Sequence, residues 1–250
     1  MKIIKYEKLK SNKYKIYLDN DEDITLYDDV ILNNNLLLTK EIEDTQELLD
    51  INNIFEAYNK AIKYIGVKLR TKKELKNYLK RYYEDYVIED VVDKIINNNY
   101  LDDELYIKSY INDQLNLSNN GYYKILRNLK NKDLDEDLII KYLDNIEHSV
   151  WIEKIDKIIS KKIKTNNKYS SNYLKEKILY DLNNLGYDKT DILNTINNYS
   201  LKDDSDILKK NYDSLYNKLS KKYSGNELKL QLINKLMAKG FKYNEIKKII

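Results

Sequence analysis

The chain has no cysteine and no proline, a single histidine, one tryptophan, two phenylalanines and only five glycines in 250 residues. Without cysteine there is no disulfide framework, no thiol nucleophile and no thiolate metal site. That fits a reducing cytosol, and a cytoplasmic location is expected. One histidine, His148, cannot by itself build an imidazole metal site or a Ser-His-Asp triad, and no nucleophile motif surrounds it. Its expected role, with Trp151, is packing between two helical segments. No apolar run approaches the length of a membrane span, and no signal-peptide core is evident near Met1. The glycines sit in no phosphate-cradling loop. No catalytic centre, metal or cofactor is therefore expected.

What is abundant is Asn, Lys, Ile and Tyr, a bias read as that of an A+T-rich genome rather than as function. The 25 tyrosines are read mainly as amphipathic packing at core and boundary positions. The net charge of +3 conceals an asymmetry. Residues 1–55 carry 7 lysines and 12 acidic side chains, and the rest carries 37 basic and 29 acidic ones. The C-terminal four fifths is modestly basic, which permits an acidic partner without demanding one.

Residues 1–27 read as strands. Ile4 and Tyr6 alternate with charges, and Tyr14, Ile16 and Leu18 alternate with Lys13, Lys15 and Tyr17. That period of two, the turn at Asp19-Asn20-Asp21, and Ile24 and Leu26 beyond it predict a small antiparallel hairpin or meander. A short helix over 28–33 follows. Three strands are marginal alone, so they should lean on the first long helix. That helix starts near Asp44, with Glu47 as a second box-like cap, and presents Leu48, Ile51, Ile54, Phe55, Tyr58 and Ala61 on a wide face. Gly66 marks its end or a bend.

Thr71 and Glu74 predict a capping box for the next helix. Val87, Ile88, Val91, Val92, Ile95 and Ile96 form the apolar face of the one after, and Asn97-Asn98-Asn99 ends it. The run Asp102-Asp103-Glu104 reads as a helix cap rather than a cation site. A repeat then emerges. Ile178, Leu182, Gly186-Tyr187 and Ile192 recur with identical spacing as Leu232, Leu236, Gly240-Phe241 and Ile246. Ile125, Leu129, Leu134 and Ile139 keep that spacing with Asp133 in place of glycine, and Leu75, Leu79, Tyr82-Tyr83 and Ile88 fall one residue short. Gly186 and Gly240 are expected as left-handed residues between second and third helices, and Ser224 with Glu227 as a cap like that of Thr71 and Glu74.

The predicted fold is mainly α: tandem three-helix repeats in an elongated, curved array behind a small N-terminal β-hairpin or meander. The expected boundaries are 1–43 for the β region, then repeats over 44–101, 102–147, 148–201 and 202–250. One such unit cannot bury its apolar face alone, so neighbours stack.

Several segments in this order resemble the RecX family. They are Ala61-Ile-Lys-Tyr-Ile, Arg70-Thr-Lys-Lys-Glu-Leu, the eleven residues from Tyr100 to Tyr110, Gly121-x-x-x-Ile-x-x-x-Leu and the ending from Gly240. The hairpin segment from Tyr14 to Asn20 is similar to longer members. The likeness spans nearly the whole chain and rests on order and spacing. It implies a regulator that binds the RecA–single-stranded DNA filament, in its groove or at its growing end, and modulates ATP hydrolysis and filament growth, most simply by inhibition. Partners would be the RecA filament, single-stranded DNA reached through it and no membrane, with the protein a monomer. Departures are Asp133 for glycine, Tyr82-Tyr83 for Lys-Gly, and lysine where arginine is frequent.

Basic residues recur near the second helices. The candidate partner-binding set is Arg70, Lys73, Lys80 and Arg81, then Lys124, Arg127 and Lys130, then Lys161 and Lys162. Any one lysine reads most simply as a solvated helix-end cation. Their recurrence predicts one basic stripe, with Arg70, Arg81 and Arg127 ranked first. The competing readings are a direct binder of single-stranded nucleic acid, with lysines on phosphates and some tyrosines stacking on bases, and a scaffold for an unrelated partner.

Overall fold

The computed structural model describes residues 1–200 and 203–250. The expected boundary at 201/202 lies outside the described residues. The chain divides into two compact units, Met1–Ile107 with Lys132–Leu134, and Lys108–Asn131 with Asp135–Ile250.

The first unit opens with a three-stranded antiparallel meander, β1 (Ile3–Lys8), β2 (Lys13–Leu18) and β3 (Asp23–Tyr27), in that order across the sheet. Period-two alternation sends Ile16, Leu18, Ile24 and Leu26 inward. In β1 the alternation breaks: the register shifts between Ile3 and Lys5. This bulge turns Ile3 in, at 8% exposure, and Ile4 out, at 68%. The helices α1 (Asp28–Asn33), α2 (Leu36–Thr39) and α3 (Thr45–Ile65) follow. The short α2 has no counterpart in the sequence pattern; Asn35 and Lys40, both left-handed, bound it. Val30, Ile31, Leu36, Ile42 and Leu48 close one core with the sheet. Asn52 of α3 accepts the Tyr27 N–H at 2.9 Å, so the sheet does lean on that helix.

From α3 onward the helices come as long, short, short. The first triplet is α3, α4 (Lys72–Leu79) and α5 (Asp85–Asn97). The second is α6 (Asp103–Leu117), α7 (Tyr122–Lys130) and α8 (Glu136–Asp144). The third is α9 (His148–Lys164), α10 (Ser171–Asn184) and α11 (Lys189–Asn197). The fourth is α12 (Ser205–Leu219), α13 (Gly225–Met237) and α14 (Tyr243–Ile246). The repeated apolar anchors are the buried positions: Ile125, Ile139, Ile178, Ile192, Leu236 and Ile246 are all fully enclosed. In the first triplet Ala57, Ala61, Leu75, Leu79 and the Val87–Ile95 face form one core. Ile96 turns out of that face, 36% exposed.

A recurrent contact joins successive triplets. The turn between second and third helices carries one left-handed residue: Asp133 at φ 58°, Gly186 at 82° and Gly240 at 88°. In each case that turn meets the start of the second helix in the triplet before it. Within the first unit, Asp133 accepts from Lys73 at 3.1 Å and Lys132 reaches Glu74 at 2.5 Å. Within the second, Gly121 N–H donates to Leu185 O at 2.7 Å and Tyr123 N–H to Gly186 O at 3.0 Å. Further on, Ser170 N–H donates to Lys239 O at 3.0 Å and its hydroxyl to Gly240 O at 2.7 Å. Cβ atoms built on Gly186 or Gly240 would lie 2.3 Å from Lys124 N or from Tyr173 Cβ, respectively. The first triplet has none before it, and its shorter turn at Tyr82-Tyr83 contains no left-handed residue.

The caps follow expectation in part. Thr71 and Glu74 form the full reciprocal box. Asp44 accepts from Gln46 and Glu47 N–H, without the return bond from Glu47. Asp102 caps α6 by accepting from Leu105 N–H at 2.8 Å. Asn99 ends α5 in the left-handed region. Ser224 occupies the N-cap of α13, but its side chain makes no cap bond, against expectation. Gly225 follows it at φ 54°, which alters the entry to the helix. Gly66 caps α3 in right-handed geometry.

Candidate partner-binding surface

In the first unit the Thr71–Glu74 box fixes where α4 begins, and so where its cations stand. Lys73 and Lys80, two turns apart, fall on one side of the helix. Lys73 is 3.1 Å from Asp133 and Lys80 is 3.7 Å from Asp85. Lys76 between them is held by Glu89 at 2.5 Å. Glu74 serves the cap and also pairs with Lys132. Burial pushes the Glu74 carboxyl up, but the Lys132 ammonium and the Thr71 N–H outweigh it and hold the group below the ordinary carboxylate range.

Arg70 is not a free surface cation. Its guanidinium lies 4.0 Å above the Tyr64 ring, and Tyr64 stacks on Tyr78 at 4.1 Å with rings nearly parallel. The Arg70 Nε is buried without an acceptor among the described residues. Lys60, outside the expected set, sits 4.6 Å over Tyr82 and 4.9 Å over Tyr83. Arg81 is exposed and has no ion pair among the described residues.

In the second unit Lys124 is half-buried with its backbone against Gly186. Lys130 pairs with Glu136 at 2.7 Å and Lys162 with Asp181 at 2.6 Å. Arg127 and Lys161 are exposed and, among the described residues, without ion pairs. Lys161 also stands in the last turn of α9, where a cation suits the helix dipole. Of the nine candidates, then, Arg81, Arg127 and Lys161 have their charge uncommitted. Four are neutralised locally, and Arg70 and Lys124 are tied into packing.

Sequence reasoning missed Lys154. Its half-buried ammonium donates to Leu115 O at 2.6 Å and Ser118 O at 2.9 Å, closing the end of α6. Burial, then Lys157, lowers its pKa. No local motif marks such a lysine, because its acceptors lie almost forty residues away in the chain. The expected packing of His148 also fails: Trp151 is buried, but the imidazole is exposed and stands 3.2 Å from Asp191. It opens α9, where the chain is at the surface.

Residues 57–94, the second half of α3 through most of α5, match the family model for RecX, first three-helix domain. A protein of Streptococcus agalactiae, regulatory protein RecX, is 32% identical over 256 residues, covering 99% of this chain and 97% of that one. The chain belongs to the RecX family. A RecX of Streptococcus gordonii is 30% identical over 100% of the chain and 98% of its own length. A crystal structure of regulatory protein RecX matches the fold with a TM-score of 0.64, at 22% identity over 79% of the chain and 99% of that structure. The crystal structure of RecX from Lactobacillus salivarius matches at 0.54, with 25% identity over 59% of this chain and 97% of that one. The RecX family is one of regulatory proteins, and its first three-helix domain matches residues of the first triplet. Among the described residues no helix is long and apolar enough to cross a membrane.

Proposed function

We propose that this protein binds the RecA–single-stranded DNA filament in the cytoplasm and lowers its ATP hydrolysis and growth, acting as a monomer and without chemistry of its own. The observation that supports this best is the full-length likeness to regulatory proteins of the RecX family, carried by helices that recur as triplets. The triplets act as repeats over 44–101, 102–147, 148–201 and 202–250, behind an N-terminal region over 1–43. A helical filament presents the same surface at every subunit, and a chain that presents related surfaces in succession can touch more than one subunit at once. Bridging subunits in this way obstructs the movements that ATP turnover and subunit addition require. Within the basic set from Arg70 to Lys162, Arg81, Arg127 and Lys161 make the strongest contacts, since among the described residues no carboxylate pairs with them.

A second reading, direct binding to single-stranded DNA, draws on the exposed Tyr82 and Tyr123 beside these cations. Co-sedimentation separates the two. Binding to recombinase-coated DNA that outlasts moderate salt, with binding to bare DNA lost steeply as salt rises, supports the filament reading. Equal, salt-resistant binding to both overturns it.

A further inference from the structure

A cavity of about 890 Å³ lies wholly within the second unit. The starts of α7, α9 and α11 and the turn after α8 line it, and it opens to solvent. Its aromatic walls are Tyr122 and Trp151, whose rings meet edge to face at 6.2 Å. Asp144, Glu147, Asp188 and Asp191 line it, and among the described residues no lysine or arginine does. His148, paired to Asp191, is its one basic group.

The carboxylates differ in how far they are committed. Asp144 accepts from the Tyr122 hydroxyl at 2.7 Å, and Asp188 caps α11 through Thr190 and Asp191 N–H. Glu147 stands before α9 without capping it, and among the described residues its carboxylate accepts from the Ser149 hydroxyl alone, at 3.3 Å. Tyr187, 3% exposed, also lines the cavity, and its hydroxyl has no partner among the described residues. Burial pushes the Tyr187 phenol up to about 12, and burial with Asp144 does the same for Tyr122, so both remain neutral donors. Among the described residues no three acidic or imidazole groups converge closely enough to hold a metal ion.

We propose that this cavity receives an arginine side chain presented by a basic segment of a partner protein. A guanidinium is planar and weakly hydrated, so it stacks on aromatic faces while its fork bonds a carboxylate. The lining supplies both surfaces together and is negative on a chain whose net charge is positive. The volume exceeds what one side chain fills, leaving room for flanking residues of the same segment.

Trp151 is the only tryptophan, so its fluorescence reports on the cavity directly. The probe is a tetra-arginine peptide with blocked ends, titrated into the full chain without recombinase or DNA. Its outcome is therefore independent of the filament reading. A saturable change in Trp151 emission is expected, with tetralysine binding about fivefold more weakly. Glu147→Gln should weaken binding about tenfold, and Glu176→Gln, outside the cavity, should leave it unchanged. Thermal melts confirm that each variant is folded, and Asp191→Asn replaces Glu147→Gln if the latter is not. No emission change at millimolar peptide overturns the proposal. So does equal binding by the folded cavity variant, or binding of tetralysine or calcium ion as tight as that of tetra-arginine.

Discussion

Replacing Gly186 with alanine tests whether the turn after the second helix is what joins one triplet to the last. Two costs act at that position. The residue sits at φ 82°, where an L side chain costs about 1–2 kcal/mol. The added Cβ would also lie 2.3 Å from Lys124 N and 2.7 Å from Lys124 Cβ. Relief requires the start of α7 to retreat, stretching the bonds from Gly121 N–H to Leu185 O and from Tyr123 N–H to Gly186 O. Each contributes about 1 kcal/mol, so Gly186→Ala should cost roughly 3–4 kcal/mol in all. In a domain of this size that lowers the melting midpoint by about 10 °C. Gly225→Ala is the control. Gly225 is also left-handed, at φ 54°, but an added Cβ there meets nothing within 4 Å. Only the conformational cost applies, about 1 kcal/mol and a few degrees. Both glycines belong to the second unit, so thermal unfolding followed by far-UV circular dichroism compares them directly. Equal shifts for the two variants would refute the reasoning, because the backbone contact would then contribute nothing.

Other perturbations follow from the same geometry. Thr71→Ala removes half of a capping box and should cost about 1 kcal/mol, whereas Ser224→Ala should be nearly neutral; urea unfolding distinguishes them. The Glu74 carboxyl, lowered in the folded state, stabilises the protein above its unfolded pKa and loses that contribution as pH falls through the folded value. Lys132→Met should therefore flatten the loss of stability as pH falls from the ordinary glutamate range through the lowered folded value, read as urea midpoints of the two proteins at each pH. Arg81→Ala and Arg127→Ala should each weaken action on the filament roughly three- to tenfold without moving the melting midpoint, since neither charge has an ion pair among the described residues. An effect of Lys130→Ala as large as theirs would argue against ranking cations by local pairing.

Much of this architecture is legible in the residues because burial follows spacing. The apolar anchors recur at intervals of four, five and five, and those positions are the enclosed ones in the structure. Gly186 and Gly240 read as left-handed because a glycine closing a helix usually stands there to adopt positive φ. Asp133 carries no such sign, since aspartate serves many roles at a helix end; it reads in the sequence as a departure from glycine, and the structure gives it the left-handed φ of 58° that the glycines have. The bulge at Ile3–Lys5 is invisible in the sequence because Ile3 and Ile4 are chemically alike, and only the pairing with β2 decides which one turns inward. Ser224 looks like Thr71 in type and spacing, but the neighbour that decides the cap geometry is Gly225. The basic candidates are visible as charges. The neutralisation of Lys73 and Lys162 is not, because Asp133 and Asp181 approach them from other helices and turns, while Lys80 and Lys130 pair with the nearby Asp85 and Glu136.

The central claim is that the protein works by occupying a recombinase filament. It is tested most directly by RecA ATP turnover on single-stranded DNA as the protein is added far below one copy per recombinase subunit. The account predicts that turnover falls, and filaments shorten or shed subunits, at those low ratios. Turnover and filament lifetime that both stay constant until the protein matches the recombinase in number would contradict it.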